Sequence, residues 1–189
     1  MRVLAISGSH IKKGNTSQVL KSLTGKIHNA GIADLKLKYL SLSGTRIKPC
    51  KACKKCMETG KCIIHDDFGL IAKKMLKSDL IILGSPVYFH DVSGQIKNMI
   101  DRTYSLWHEK QLKGKRIIPV AVCAESGDDR TLETIRIWAQ AHEMKIVHSV
   151  SGRGYNGGDI LGTELTRDGI DTAVRELTGE EAEKNVGTD

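Results

Sequence analysis

The sequence contains no apolar run that approaches the ~18–20 residues needed to cross a bilayer. Its opening apolar stretch is too short for the hydrophobic region of a secretory signal, because Ser7 and Gly8 interrupt it. We therefore expect no membrane partner and a cytoplasmic protein. The fractions of apolar (40%) and charged (27%) residues are typical of a globular chain, and we interpret residues 1–189 as a single domain.

Aromatic residues are scarce, at 4% of the chain, and none lies within the lysine-rich segment 48–61. Surfaces that bind single-stranded nucleic acid combine basic groups with aromatic side chains on which bases stack. We therefore expect no nucleic-acid partner, in spite of the net charge of +7. The lysines form either a solvated surface or a docking surface for an acidic protein. This basic cluster consists of Lys48, Lys51, Lys54, Lys55 and Lys61.

The five cysteines, an odd number, do not indicate a disulfide framework in a reducing compartment. Four of them lie close together, as Cys50-x-x-Cys53-x-x-Cys56 followed by five residues and Cys62. Thiolates at this spacing can surround one metal centre, and Gly60 allows the chain to return Cys62 to it. The spacing resembles that of bacterial ferredoxins and favours an iron–sulfur cluster. Structural zinc, which usually has two separated cysteine pairs, and free redox thiols stay open as alternatives.

Apolar and amphipathic segments alternate along the chain. Strand-like segments lie at 2–6, 35–40, 79–84, 116–123 and 145–151, and helix-like segments at 16–29, 66–77, 92–110, 131–143 and 163–177. The pattern predicts an α/β fold, a doubly wound five-stranded parallel sheet with helices on both faces. In the helix at 66–77 we expect Leu70, Ile71, Met75 and Leu76 to point inward. Residues 41–65 form a long cysteine-bearing loop, and the charged tail from about 178 to 189 is expected to fray.

Three loops are expected to meet at one ligand site. In a doubly wound sheet the ligand lies at the carboxyl ends of the strands, where the strand order reverses. The loops that follow the first, third and fourth predicted strands are 7–15, 85–91 and 124–130.

The first of these loops leads into a helix whose first turn carries Asn15, Thr16 and Ser17. Together with Ser9, these side chains can donate to phosphate oxygens, and the helix N-terminus adds free N–H groups. Neither a P-loop nor a dinucleotide fingerprint is present in this loop. The loop therefore fits a single phosphate group such as that of FMN, unless it is a plain strand–helix turn.

The loop after the third predicted strand reads Gly84-Ser-Pro-Val-Tyr-Phe-His90 and is stiffened by Pro86. Its backbone can bond the polar edge of a flavin ring, and Tyr88 and Phe89 can flank the ring face, or they merely pack the loop. The segment Gly152-x-Gly-x-x-Gly157 matches a dinucleotide motif. Too little chain follows it for a dinucleotide domain, so we interpret it as a surface loop.

The motifs Ile6-Ser-Gly-Ser, Gly14-Asn-Thr-Ser, Pro49-Cys-Lys-Ala-Cys-Lys-Lys-Cys, Gly60-Lys-Cys and Gly84-Ser-Pro-Val-Tyr resemble those of the iron–sulfur flavoproteins, within the NAD(P)H-dependent FMN reductase group. The resemblance implies a flavodoxin-like fold and a homo-oligomer, either a dimer or a dimer of dimers. It also implies a 4Fe–4S cluster on Cys50, Cys53, Cys56 and Cys62. FMN would be held at its phosphate by Ser9, Asn15, Thr16 and Ser17, at its ring by Pro86, Val87, Tyr88 and Phe89, and by a third loop around Ser126.

We therefore expect a redox flavoprotein without a catalytic acid, base or nucleophile of its own, because the cofactors supply the chemistry. A ferredoxin-like donor would dock at the basic cluster and pass electrons through the iron–sulfur cluster and FMN to an acceptor. Removal of oxidants is one use of such a transfer. The first alternative is a plain NAD(P)H-dependent FMN or quinone reductase whose cysteines hold structural zinc. The second is a non-enzymatic zinc module that binds nucleic acid.

Overall fold

The structure, a computed structural model, describes residues 1–186, and the side chains of residues 1–179. Within this part, seven strands form one sheet: β1 Arg2–Ser7, β2 Lys36–Ser41, β3 Leu80–Tyr88, β4 Asp91–Val92, β5 Arg116–Cys123, β6 Lys145–Ile146 and β7 Val150–Arg153. The helices are α1 Asn15–Asn29, α2 Cys56–Thr59, α3 Phe68–Lys77, α4 Gly94–Arg102, α5 Tyr104–Trp107, α6 Asp128–Ala141 and α7 Glu164–Val186, with a 3₁₀ turn at Asp159–Gly162. No helix of the described chain is long and apolar enough to span a membrane.

The strand order confirms the doubly wound α/β prediction. Strand β1 pairs in parallel with β2 and β3, and β3 pairs in parallel with β5. Strands β6 and β7 both pair in parallel with β5, so they occupy one edge position. The sheet therefore has the flavodoxin-like order, in which the direction of winding reverses between β1 and β3.

The predicted count of five strands is wrong, because the last predicted strand is divided and β4 is added. Lys145 pairs with Arg116, whereas Val150 pairs with Val120, so one residue is inserted on the edge strand. Such an insertion is a β-bulge and interrupts the ladder. Strand β4 folds back antiparallel on the end of β3. As a result, β3 continues to Tyr88, through half of the loop predicted at 85–91.

Helices cover both faces of the sheet. On one face, α1 and α7 pack through side chains such as Leu23 and Leu177. On the other, α3, α4 and α6 pack through Met75, Met99 and Ile135. The central strands are buried on both faces, which is why they appear in the sequence as continuous apolar runs.

One prediction about the helices is wrong. In α3, Ile71 and Met75 are buried, but Leu70 is 62% exposed and was wrongly expected to point inward. Leu70 lies about 100° around the helix from Ile71, which turns it away from the sheet. Helix α7 extends to Val186, residues 187–189 lie outside the described residues, and fraying of the tail from about 178 stays a prediction.

A buried polar chain joins the end of α4 to α6. Trp138 Nε1 donates to Thr103 Oγ1 at 2.8 Å, and His142 Nε2 lies 3.0 Å from the same oxygen. The one hydroxyl hydrogen of Thr103 is donated to Ile100 O at 2.6 Å, so His142 Nε2 is the donor in its contact. His142 Nδ1 is buried and has no hydrogen-bond partner among the described residues. Burial lowers the pKa of His142 to about 4.

We predict that the free energy of unfolding decreases as the pH falls from 6.5, the ordinary pKa of histidine, towards about 4. Over that range the unfolded chain takes up a proton at His142 that the folded protein does not bind. His142→Gln should remove up to roughly 3 kcal/mol of this pH dependence. Urea unfolding at about pH 7 and about pH 4.5 measures the effect, with His28→Gln, on the exposed side of α1, as the control. An unchanged pH dependence in His142→Gln would contradict the prediction.

Candidate functional site

The loop after β1 is held between β3 and the N-terminus of α4. Gly8 N donates to Gly84 O at 2.7 Å, and Ser93 Oγ donates to Gly8 O at 2.9 Å. A Cβ atom on Gly8 would lie 2.3 Å from Ile96 Cγ1, so a side chain at this position does not fit. The end of β3 and the loop after β1 thus lie side by side at the carboxyl edge of the sheet.

The N-terminus of α1 is open to a ligand. Its N-cap residue, Gly14, offers no side-chain cap, and the first-turn amides of an α-helix have no intrahelical partner. Thr16 and Ser17 are buried in this turn, and Ser9 is buried just before it, where its Oγ accepts from Ile11 N at 3.1 Å. An uncapped helix N-terminus of this kind attracts an anion.

Asn15 connects this turn to the loop after β7. Its Nδ2 donates to Gly154 O at 3.0 Å, whereas its Oδ1 is buried and has no hydrogen-bond partner in the described chain. The surface loop predicted at 152–157 is partly wrong, because Gly152 and Arg153 belong to β7. The residues that follow them border the site through Gly154, a contact that no local sequence pattern indicated. The orphaned amide oxygen is an acceptor, so a hydroxyl or N–H donor of a bound ligand can satisfy it, whereas a phosphate oxygen cannot.

The residues predicted to contact a flavin ring lie at the end of β3 and in the turn that follows it. Pro86 and Val87 are half-buried, and Tyr88 is 48% exposed. Phe89 is fully exposed. Its φ angle is 49° and that of His90 is 62°, so both residues have a positive φ. Because Phe89 makes no packing contact that covers its ring, the alternative that it merely packs the loop is wrong.

The loop after β5 meets this turn. Ser126 is exposed in the bend that precedes α6, and the next residue, Gly127, has a φ of 89°. A Cβ atom on Gly127 would lie 2.8 Å from His90 Cα. The structure therefore brings together the three loops that the sequence placed at the carboxyl edge.

A buried carboxylate that the sequence reasoning missed supports the loop after β5. Asp128, the first residue of α6, pairs with Arg153 on β7 at 3.0 Å. Cys123 Sγ lies 3.6 Å from the same carboxylate. Burial and the charge of Asp128 raise the pKa of Cys123 to about 11, so this cysteine is a protonated, unreactive thiol at neutral pH.

The other four cysteines line one cavity of about 240 Å³ in the loop between β2 and α3. Cys50 and Cys53 are exposed, and Cys56 and Cys62 are half-buried. Burial raises the pKa of the Cys56 thiol, and so does the proximity of Cys62, Cys50 and Cys53. The sulfur atom of Cys56 therefore lies near those of the other three cysteines.

The backbone of this loop bends around the cavity. Ala52 and Lys54 have φ angles of 51° and 58°, which are uncommon for residues other than glycine. Ala52 N donates to Cys50 Sγ at 3.5 Å. Inward-facing amides in such turns form concavities that bind anionic groups, iron–sulfur clusters included. Gly60, with a φ of 65°, ends α2 and returns the chain to Cys62.

The cysteines surround a cavity and do not converge on one point. Among the described residues, no three His, Cys, Asp or Glu side chains are close enough to hold a single metal ion. Four thiolates can ligate either a zinc ion or a 4Fe–4S cluster, so this set of side chains admits both.

The cysteine loop is held by Arg102, a second residue that the sequence reasoning missed. Its side chain, 0% exposed, pairs with Asp66 at 2.7 Å and donates through Nε to Cys62 Sγ at 3.1 Å. Burial alone would lower the pKa of Arg102, but the hydrogen bonds to Asp66 and Cys62 raise it above its usual value. The available signal was the spacing of Ile96, Met99 and Arg102, which places an arginine on the buried stripe of α4.

The chain is similar to a known protein family, to individual members of it and to a solved structure. The sequence model of the NADPH-dependent FMN reductase family matches residues 1–155. An iron-sulfur flavoprotein of Methanocaldococcus jannaschii is 38% identical over 164 residues, 86% of this chain and 83% of that protein. An iron-sulfur flavoprotein of Methanosarcina thermophila is 29% identical over 150 residues, 78% of this chain and 77% of that protein. The solved structure of the Trp repressor binding protein from Bacillus subtilis has a TM-score of 0.65 at 19% identity, covering 93% of this chain and 97% of that one, which shows the fold alone.

We predict that Gly8→Ala destabilises the fold by about 1–3 kcal/mol, because the added methyl group must displace Ile96. The matched control is Gly25→Ala in α1, where a Cβ atom meets nothing within 4 Å. An alanine there should stabilise the protein by up to about 1 kcal/mol. Urea unfolding of both variants measures the difference, and equal stabilities would contradict the assigned contact.

Proposed function

The chain belongs to the iron–sulfur flavoproteins, a branch of the NADPH-dependent FMN reductase family, and we propose that it transfers electrons from a ferredoxin-like donor through a 4Fe–4S cluster and FMN to an acceptor. It is an oxidoreductase, so the alternative of a non-enzymatic nucleic-acid module is discarded. FMN takes part in one- and two-electron reactions, whereas an iron–sulfur cluster exchanges single electrons.

The observation that carries the proposal is the cavity shared by Cys50, Cys53, Cys56 and Cys62. Four thiolates are the ligand set of a 4Fe–4S cluster. The left-handed turns at Ala52 and Lys54 and the N–H that Ala52 donates to Cys50 Sγ are compatible with such a cluster, and the iron-sulfur flavoprotein relatives favour it over a zinc ion.

The FMN site is proposed at the carboxyl edge of the sheet. The phosphate would bind at the uncapped N-terminus of α1, near Ser9, Asn15, Thr16 and Ser17. The ring would lie along Pro86, Val87, Tyr88 and Phe89, with Ser126 in the third loop. The uncapped N-terminus of α1 and the exposed aromatic rings of the β3–β4 turn support this placement.

The donor would dock at the basic cluster. Lys51 and Lys54 line the cysteine cavity, and they are exposed, as is Lys55. In the part of the chain that the structure describes, these three lysines form no ion pair, so an acidic protein can engage them. Positive charge beside the cavity attracts such a partner and increases the rate of encounter.

A homo-oligomer, a dimer or a dimer of dimers, is part of the proposal. Tyr88, Phe89 and Tyr155 leave exposed aromatic surface around the candidate FMN site. A second copy of the chain would remove that surface from water.

Metal and flavin analysis of anaerobically purified protein tests the cofactors. We expect about four irons and about one FMN per chain. Cys53→Ser should lose the iron and keep the FMN, because the two candidate sites use different loops. Cys123→Ser, outside the cysteine loop, is the control and should keep both.

Stoichiometric zinc with less than one iron per chain would contradict the cluster. Rapid reduction of the flavin by NADPH in such a protein would support the plain FMN or quinone reductase instead. The family model, which describes NADPH-dependent enzymes, favours that reaction as the second candidate.

Charge reversal tests the docking surface. Replacement of Lys51, Lys54 and Lys55 by Glu should slow reduction by ferredoxin roughly tenfold or more at low salt, and added salt should slow the unmodified protein. The control changes Lys21, Arg167 and Arg175 to Glu, which alters the net charge equally on α1 and α7, behind the sheet. Equal rates of reduction by ferredoxin for the two variants would contradict the proposed docking site.

A further inference from the structure

Arg102 uses its whole hydrogen-bonding capacity on the cysteine loop, residues 41–65, and on Asp66, which directly follows it. Its Nη1 donates to Lys48 O at 2.8 Å and to Asp66 Oδ2 at 2.7 Å. Its Nη2 donates to Ile64 O and to Asp66 Oδ1, both at 3.1 Å. With the bond from Nε to Cys62 Sγ, each of the five N–H donors of the guanidinium has a partner.

These partners lie on both sides of the four cysteines. Lys48 precedes Cys50 by two residues, and Ile64 follows Cys62 by two residues. One side chain therefore fixes both ends of the segment that carries the thiols. A lysine could not reproduce this, because its ammonium has three donors and no planar fork.

The bond that Arg102 Nε donates to Cys62 Sγ is not needed to hold the loop. The two backbone carbonyls and the Asp66 carboxylate already occupy the two terminal nitrogens, whereas Nε points at a cysteine sulfur in the cavity. The carboxylate lies on the far side of the guanidinium from that sulfur. The neutral Arg102–Asp66 pair thus presents its positive end to Cys62.

We propose that Arg102 is a positioning residue for the cysteine loop and that it raises the reduction potential of the cluster held there. The inference rests on the proposed function, since it requires a redox group on Cys62. Reduction adds negative charge to a group that four thiolates already make negative. A buried cation that donates to one of the sulfur ligands stabilises that added charge and is little screened by salt.

The test uses anaerobic protein that carries its cofactors, and it measures the midpoint potential of the cluster by redox titration followed by electron paramagnetic resonance. The double variant Arg102→Gln/Asp66→Asn removes both charges without leaving a buried carboxylate unpaired. We expect it to retain iron and to reduce at a more negative potential, with at least a tenfold smaller equilibrium constant, which is 59 mV for one electron. Arg175→Gln on α7 removes one positive charge behind the sheet and should keep the original potential.

The single variant Asp66→Asn should shift the midpoint potential in the opposite direction. It leaves the guanidinium and its bond to Cys62 in place but removes the opposing carboxylate, so the potential should become more positive. A residue with a purely structural role would not shift the potential in opposite directions in the two variants. If the double variant binds no iron, Asp66→Asn carries the test alone.

Unchanged potentials in iron-loaded variants would overturn the role of Arg102 while leaving the proposed function intact. The double variant decides this where it retains iron, and Asp66→Asn decides it otherwise. A protein without an iron–sulfur cluster, seen in the same titration of the unmodified chain, would instead overturn the proposed function.

Discussion

The position of the cysteine loop depends on the buried ion pair between Arg102 and Asp66. Within the described segment 42–67, the buried apolar side chains are Leu42 and Ile47, and the one helix has four residues. Such a segment has too little apolar surface to hold itself in place. The ion pair supplies the attachment, and its side chains are 0% and 2% exposed. Removal of Arg102 alone would leave the buried Asp66 carboxylate uncompensated, at a cost of about 3–5 kcal/mol. Arg102, in contrast, keeps Lys48 O, Ile64 O and Cys62 Sγ as partners when Asp66 is neutralised.

Helix α4 connects this attachment to the other candidate site. At its N-terminus, Ser93 and Ile96 contact Gly8 in the loop after β1. In the middle, Asn98 Nδ2 donates to Ile47 O at 3.1 Å, and at its C-terminus Arg102 holds the cysteines. A nine-residue helix of about 13 Å therefore supports the candidate FMN site at one end and the candidate cluster site at the other. A rigid element holds functional groups in place more accurately than a loop does, which suits a protein whose chemistry resides in bound cofactors.

Much of the architecture could be predicted because its causes are local. The central strands are buried on both faces and therefore appear as apolar runs, and Gly60 was correctly expected to return the chain to Cys62. Errors arose where neighbouring elements decide the outcome. The bulge that divides β6 from β7 depends on the register with β5, and the extension of β3 to Tyr88 depends on pairing with β4. Leu70 is exposed because the side of α3 that packs on the sheet is narrower than the apolar part of the helix surface.

The sequence by itself determined the α/β class, the polar first turn of α1 and a group of four thiols whose spacing indicates a metal centre. These features depend on residues a few positions apart, and short-range periodicity and spacing record them directly. Only the tertiary structure decided that Arg102 pairs with Asp66, 36 residues away, and that Asn15 contacts Gly154, 139 residues away. Contacts of this length leave no local pattern, because a buried charge or amide acquires its partner only when the helices and loops pack. The thiols were therefore visible in the sequence, whereas the cation that holds them became visible only in the fold.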